Sequence, residues 1–207
     1  MSQKTFFLVL GALYVGALGW SAIAPHDYPT WLMEVAPSLV GVAILALTYR
    51  RFKFSRFVYV MVLLHSLVLF YGGKYTYAEN PLFEYLSTVF EWQRNNYDKV
   101  GHFVQGFFPA FMVRELVIRL GVFAKKNWIT TFVMGMVALI TVVYELLEWL
   151  AALLIGQDAD AFLGTQGYVW DTQTDMFLAL LGGLIACLVF GKLHDRFVAK
   201  EGIKKSK

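Results

Sequence analysis

The chain is short of charge and almost without cysteine, and each shortage excludes something. Only 16% of its 207 residues are Asp, Glu, Lys or Arg, while 58% are hydrophobic. Soluble domains carry about 25% charged residues, so a water-facing globular surface is excluded, and no stretch is polar enough for a separate soluble domain. Cys187 is the single cysteine. No internal disulfide can form, and its place inside an apolar run reads as small-residue packing. The net charge of +3 gives no reason to invoke nucleic acid. Established catalytic signatures are also missing: no P-loop, no dinucleotide fingerprint, no His-Glu-x-x-His zinc helix and no Ser-His-Asp arrangement.

What the chain does have is long apolar runs. Six approach the roughly 20 residues that cross a bilayer, at about 6–24, 31–48, 57–73, 100–120, 128–155 and 171–190. The reading is an all-α, polytopic membrane helix bundle forming one integral membrane domain. Pro25 and Pro29 bracket the first turn, since neither can continue a helix. Ala22-Ile23-Ala24 resembles a signal-peptidase site, but the run before it is longer than a signal core, so a retained span is expected. Between spans three and four, Leu82, Phe83, Leu86, Val89 and Phe90 recur at helical spacing with Glu84, Ser87 and Glu91 between them. That pattern predicts an interfacial amphipathic helix, acting as a packing lid over the bundle.

Charge sets the orientation. With both termini cytoplasmic, only Lys74, Arg94 and Lys99 of the 18 Lys and Arg fall outside, as the positive-inside rule requires. The cluster Arg50, Arg51, Lys53 and Arg56 and the basic tail 191–207 are then cytoplasmic. The acids are as lopsided: only Glu115, Asp195 and Glu201 of the 15 lie inside. Carboxylates do not set topology, so that excess asks for another cause.

The cause proposed is a site. Spans four and six begin outside and span five ends there, so three charged pairs reach a similar depth. Asp98 with His102, and Asp171 with Asp175, are four residues apart; Glu145 and Glu148 are three apart. Each pair therefore shares one helical face, and lipid is the one place those faces cannot point. Asp98, His102, Glu145, Glu148, Asp171 and Asp175 together form a ligand set for a divalent metal ion, the only cofactor implied. His102, Glu145, Glu148 and Asp175 could equally serve as an acid/base group, because crowded carboxylates hold their protons differently.

Plainer readings stand beside these. Asp98 and Asp171 lie where helices begin, and capping alone would explain both. His65 reads as a satisfied interhelical partner. Tyr144, Trp149, Tyr168 and Trp170 fit an interfacial aromatic belt, and Gly182-Gly183 reads as a close helix contact. Gly164-Thr165-Gln166-Gly167 reads as a turn. Glu145 and Glu148 resist such explanations, since they lie within a span.

The runs Tyr97-Asp98-Lys99-Val100-Gly101-His102, Tyr144-Glu145-Leu146-Leu147-Glu148-Trp149 and Gly164 to Asp175 resemble the YjdF-type bacterial inner-membrane proteins over nearly the whole chain. The resemblance implies a multi-pass protein without an established activity. Asp98, Lys99, His102, Glu145 and Asp171 are also similar to the VanZ-like pattern, with Glu148 where Gln is usual and Asp175 where Asn is usual. Together the residues support a multi-pass inner-membrane protein whose acidic pocket near the outer face could act on a lipid or envelope precursor. A small proton-coupled transporter and a non-catalytic membrane partner are the alternatives. The bilayer is the one partner the composition requires.

Overall fold

The computed structural model describes residues 1–125, 127–155 and 166–200. Among them are eight helices and no strands: α1 (Gln3–Ala22), α2 (Tyr28–Thr48), α3 (Arg56–Tyr75), α4 (Pro81–Phe90), α5 (Tyr97–Leu120), α6 (Asn127–Ile155), α7 (Asp171–Leu188) and α8 (Gly191–Lys200). Local chemistry sets the boundaries. Side-chain oxygens of Ser2, Asp27, Ser55 and Asn80 each accept a backbone N–H in the first turn of α1, α2, α3 and α4, which removes one of the orphan donors of a helix start. Gly121, at φ +63°, closes α5 in the left-handed conformation that only glycine adopts without strain.

Five helices, α1, α2, α3, α6 and α7, are long and apolar enough to cross a membrane, where six were expected. The exception is α5, which carries Asp98, Lys99, Arg114, Glu115 and Arg119 within 24 residues. It is tolerated because its neighbours enclose it. α5 packs most extensively on α7 and also on α3 and α6, so its polar groups face protein. This is the shielding expected of the least apolar run.

α5 and α7 run parallel and close. A Cβ built on Gly106 would lie 1.7 Å from the carbonyl oxygen of Ala179, and one on Gly182 would lie 2.1 Å from that of Phe103. The expected close contact at Gly182 is therefore real, and its counterpart is Gly106. Midway along the bundle, Val58, Ala110, Phe111, Val133, Val137 and Ala186 form a packed apolar core. α1 packs mainly along α3 and leaves an apolar groove of about 430 Å³ lined by Phe7, Leu10, Tyr14, Val42, Leu45 and Val62.

α4 differs from the lid expected. Its buried residue is Ser87, whose hydroxyl donates to the Arg94 carbonyl at 2.9 Å, while Leu82, Tyr85, Val89 and Phe90 are exposed. It rests on the bundle through Phe83 against Tyr97 and presents its apolar side outward, as an interfacial helix does.

At the end where α3 begins and α5 finishes lies a buried polar network not anticipated from the sequence. Glu115, with 0% exposure, accepts from Ser55 N (2.7 Å), Ser55 Oγ (2.6 Å) and Arg119 (2.9 Å), and it faces His194 Nε2 at 3.2 Å. Arg114 binds both His194 Nδ1 (3.0 Å) and Asp195 (2.7 Å). An arginine only donates, so His194 Nδ1 is the acceptor and the ring proton sits on Nε2, pointing at Glu115. The network ties α8 to the starts and ends of α3 and α5.

Candidate functional site

The other end of the bundle, where α5 and α7 begin and α6 finishes, gathers most of the acids. Asp98 occupies the first turn of α5 and Asp171 that of α7, yet neither side chain caps its helix; the residues at the cap positions are Asn96 and Trp170. Capping therefore does not explain these carboxylates. Their oxygens turn inward to cations instead.

Lys99 is the hub of one half of the site. Its Nζ donates to Asp171 Oδ1 and Asp175 Oδ1 at 2.7 Å each and to Asp98 Oδ2 at 3.2 Å. Arg94 adds a 2.7 Å bond to Asp171 Oδ1 and lies 3.6 Å from Asp98 Oδ2. The ring of Tyr168 covers both cations, 5.5 Å from Arg94 and 5.7 Å from Lys99. Tyr168 is thus a cation partner, whereas Trp149 and Trp170 are exposed as belt residues would be.

His102 is the hub of the other half. Its Nε2 lies 3.2 Å from Asp98 Oδ1 and 3.9 Å from Asp175 Oδ2. Its Nδ1 lies 3.2 Å from Gln105 Oε1 and 3.7 Å from Glu145 Oε1. That Glu145 oxygen is buried and has no hydrogen-bond partner. Glu148 closes the arrangement: ligand atoms of His102, Glu145 and Glu148 all lie within 4.8 Å of one another, and so do those of Asp98, His102 and Asp175. His102 belongs to both sets.

The five acids and one imidazole singled out from the sequence all converge here, but Asp171 is apart from both ligand sets, its Oδ1 taken up by Arg94 and Lys99. Glu34, on α2, was missed. It is 1% exposed, its Oε2 has no hydrogen-bond partner, and it interacts electrostatically with Asp98 and His102. An acid inside the second apolar run is itself the signal that would have found it. Tyr77, between α3 and α4, hydrogen-bonds Glu34; burial first, then the charge of Glu34, pushes its phenol well above the ordinary value, so it stays a neutral donor. The turn at 164–167 lies partly outside the described residues. Gln166 (φ +46°) and Gly167 (φ +80°) are left-handed, and the Gln166 amide pairs with the backbone of Asn95 at 2.9 and 2.8 Å.

Beside His102 a cavity of about 220 Å³ extends between α2, α3, α5 and α6. His102, Gln105, Tyr77 and Tyr144 form one end, and Leu45, Val62, Met112 and Ile140 line the rest. Tyr144 is edge-on to the His102 ring at 6.0 Å, so it is a site residue and not part of an aromatic belt. His65 also lines the cavity. Its ring packs on Phe108 at 5.7 Å, and its Nε2 has no partner, which corrects the expectation of a satisfied interhelical bond.

The charges do not balance. Glu34, Asp98, Glu145, Glu148, Asp171 and Asp175 face two permanent cations, Arg94 and Lys99, and one imidazole. Buried charge left unpaired is too costly to persist. Protons or a bound cation must make up the difference.

Residues 6–196 match the family described as "Predicted membrane protein (DUF2238)". The chain is 45% identical over 208 residues to inner membrane protein YjdF of Escherichia coli (strain K12), an alignment covering 98% of this chain and 94% of that protein. No solved structure matches the chain.

Proposed function

The chain belongs to the DUF2238 family of predicted membrane proteins, and we propose that its acidic site works from within the bilayer, as a metal-dependent enzyme acting on a membrane lipid or lipid-linked envelope precursor. The distribution of the basic loops and the inner-membrane location named for the relative support a site at the outer side of a bacterial inner membrane, with both termini cytoplasmic.

One observation carries the reading. Glu145 Oε1, buried and without a donor, faces Nδ1 of His102 across 3.7 Å. With one ring proton on Nε2 toward Asp98, Nδ1 faces only acceptor oxygens, those of Gln105 and Glu145, so either a second ring proton or a cation belongs between them, and we infer the cation. Glu148 supplies a third ligand atom, and imidazole with carboxylate oxygens suits a zinc- or manganese-like ion. Asp98, on the far ring nitrogen, is the carboxylate that such a histidine ordinarily has behind it. These ligand atoms, within 4.8 Å of one another, would draw slightly inward to hold such an ion.

The ion would polarise a carbonyl or phosphoryl oxygen and lower the pKa of a bound water. Asp175 is the acid/base group at hand: Lys99 fixes one oxygen at 2.7 Å, and the other lies 3.9 Å from His102. It would take the proton from the attacking water or hydroxyl and return it to the leaving oxygen. Substrate would arrive sideways through the lipid in which the five apolar helices sit.

A proton-coupled carrier needs a polar path through the bundle. The core around Val58, Ala110, Phe111 and Ala186 separates His102 from Glu115 by about 20 Å along α5, which favours an enzyme over a carrier. The test is the lipid profile of membranes from cells producing wild-type protein or Glu148→Gln at equal level. A headgroup or precursor species that changes only with the wild type supports the reading; identical profiles overturn it.

A further inference from the structure

The cavity beside His102 asks what fills it. At about 220 Å³ it could hold several waters, but a buried water needs about three hydrogen bonds. The serine hydroxyls on its wall are already paired: Ser38 Oγ donates to Ser66 Oγ at 2.8 Å, Ser66 Oγ donates to the Val62 carbonyl at 2.8 Å, and Tyr14 reaches Ser38 at 3.0 Å. His65 Nε2 is the polar atom on that stretch of wall left without a partner. Pro37, Gly41, Leu45, Val62, Leu69, Met112 and Ile140 supply apolar surface around it. Such a space does not hold a water chain, and leaving it empty forfeits dispersion contacts on every side.

We propose that this cavity holds one hydrocarbon chain of a membrane lipid, with the lipid's polar end against His102 and the chain running down α5 toward Met112. The two ends differ in the required way: Tyr77, His102, Gln105 and Tyr144 at one, Leu45 and Met112 at the other. From His102 to Met112 is about 15 Å at 1.5 Å per residue, so a chain of ordinary length extends through it. The entrance is on α2, where Pro37 is exposed and a side chain added at Gly41 would meet nothing within 4 Å. Leu45 and Val62 alone of the cavity's lining also line the apolar groove under α1, which continues the apolar surface past the inner end. The assignment of the polar end to His102 rests on the proposed function; occupation of the cavity by a chain does not require a metal or a reaction.

Phosphatidylglycerol carrying a diazirine near the end of one acyl chain, in vesicles with the full-length protein, provides the test. After illumination, label should concentrate on Leu45, Val62 and Met112. Gly41→Leu grows a side chain into open space and should cut that labelling roughly tenfold, equivalent to about 1.4 kcal/mol, while Gly41→Ala should keep it. Label spread over the exposed Leu8, Leu47 and Leu153, unchanged by Gly41→Leu, overturns the proposal. Glu148→Gln separates the two ideas: it removes the proposed metal ligand, and cavity labelling should survive it.

Discussion

The Nε2 atom of His102 lies 3.2 Å from Oδ1 of Asp98, one turn earlier on the same helix. The contact fixes the ring so that Nδ1 points at Glu145, and with a metal bound it would raise the basicity of that nitrogen. Asp98→Asn keeps the size and loses the charge. Metal affinity should fall about 10–100-fold in a competition titration with a chromophoric chelator, with the helical content unchanged. Equal affinity would mean that Asp98 serves only the Lys99 cluster.

Lys99 holds three carboxylates together, Asp98, Asp171 and Asp175. Lys99→Met leaves them facing one another with Arg94 and the His102 ring in support. Removing one partner of a buried ion pair costs about 3–5 kcal/mol, and the site's partial exposure puts the expected loss at the low end. Adding Asp175→Asn to Lys99→Met should restore part of it. Thermal unfolding in detergent reads both; a double variant no better than the single one would contradict the pairing.

Gly106 and Gly182 admit no Cβ, because the facing atoms are backbone carbonyls on the partner helix. Alanine at either position should force α5 and α7 apart and destabilise by at least about 1–3 kcal/mol. Gly11, Gly16 and Gly19 meet nothing within 4 Å, so alanine there should leave the unfolding temperature within error. The contrast is read from one set of melting curves.

Glu115 has no exposure to solvent and four polar contacts. In Glu115→Leu, Ser55, Arg119 and His194 lose their common acceptor, at a cost of about 3–5 kcal/mol. α8 should loosen, and limited trypsin digestion should cut after Lys192 or Arg196 faster than in wild type. An unchanged digestion rate would show that Phe57, which packs on both His194 and Phe197, holds α8 without the network.

Much of this arrangement is legible in the residues, and the part that is not has a physical cause. Apolar runs mark the membrane helices, and pairs such as Asp98/His102 and Glu145/Glu148 mark inward faces, because lipid excludes them. That logic extends to Glu34, an acid inside the second apolar run, because α2 reaches the site beside the three consecutive helices that carry the pairs. Lys99 is harder. Its neighbour Asp98 points about 100° away around the helix, and only the length of the lysine chain brings its amine back to the carboxylates. The bond between Glu115 and His194 spans 79 residues, and no local pattern links them. His65 looked like an interhelical partner because a lone histidine in a span usually finds one; the cavity that leaves it without one comes from the packing of four helices.

His102, Glu145 and Glu148 would hold one divalent cation between them. Metal analysis of the purified protein, wild type beside His102→Gln, Glu145→Gln and Glu148→Gln, tests it directly. About one equivalent of zinc or manganese is expected in the wild type, for a site of three protein ligands, and almost none in the three variants, with all four proteins equally folded. Metal-free wild-type protein that takes up no ion on addition, or variants that retain the wild-type content, would contradict it and leave protons to balance the buried carboxylates.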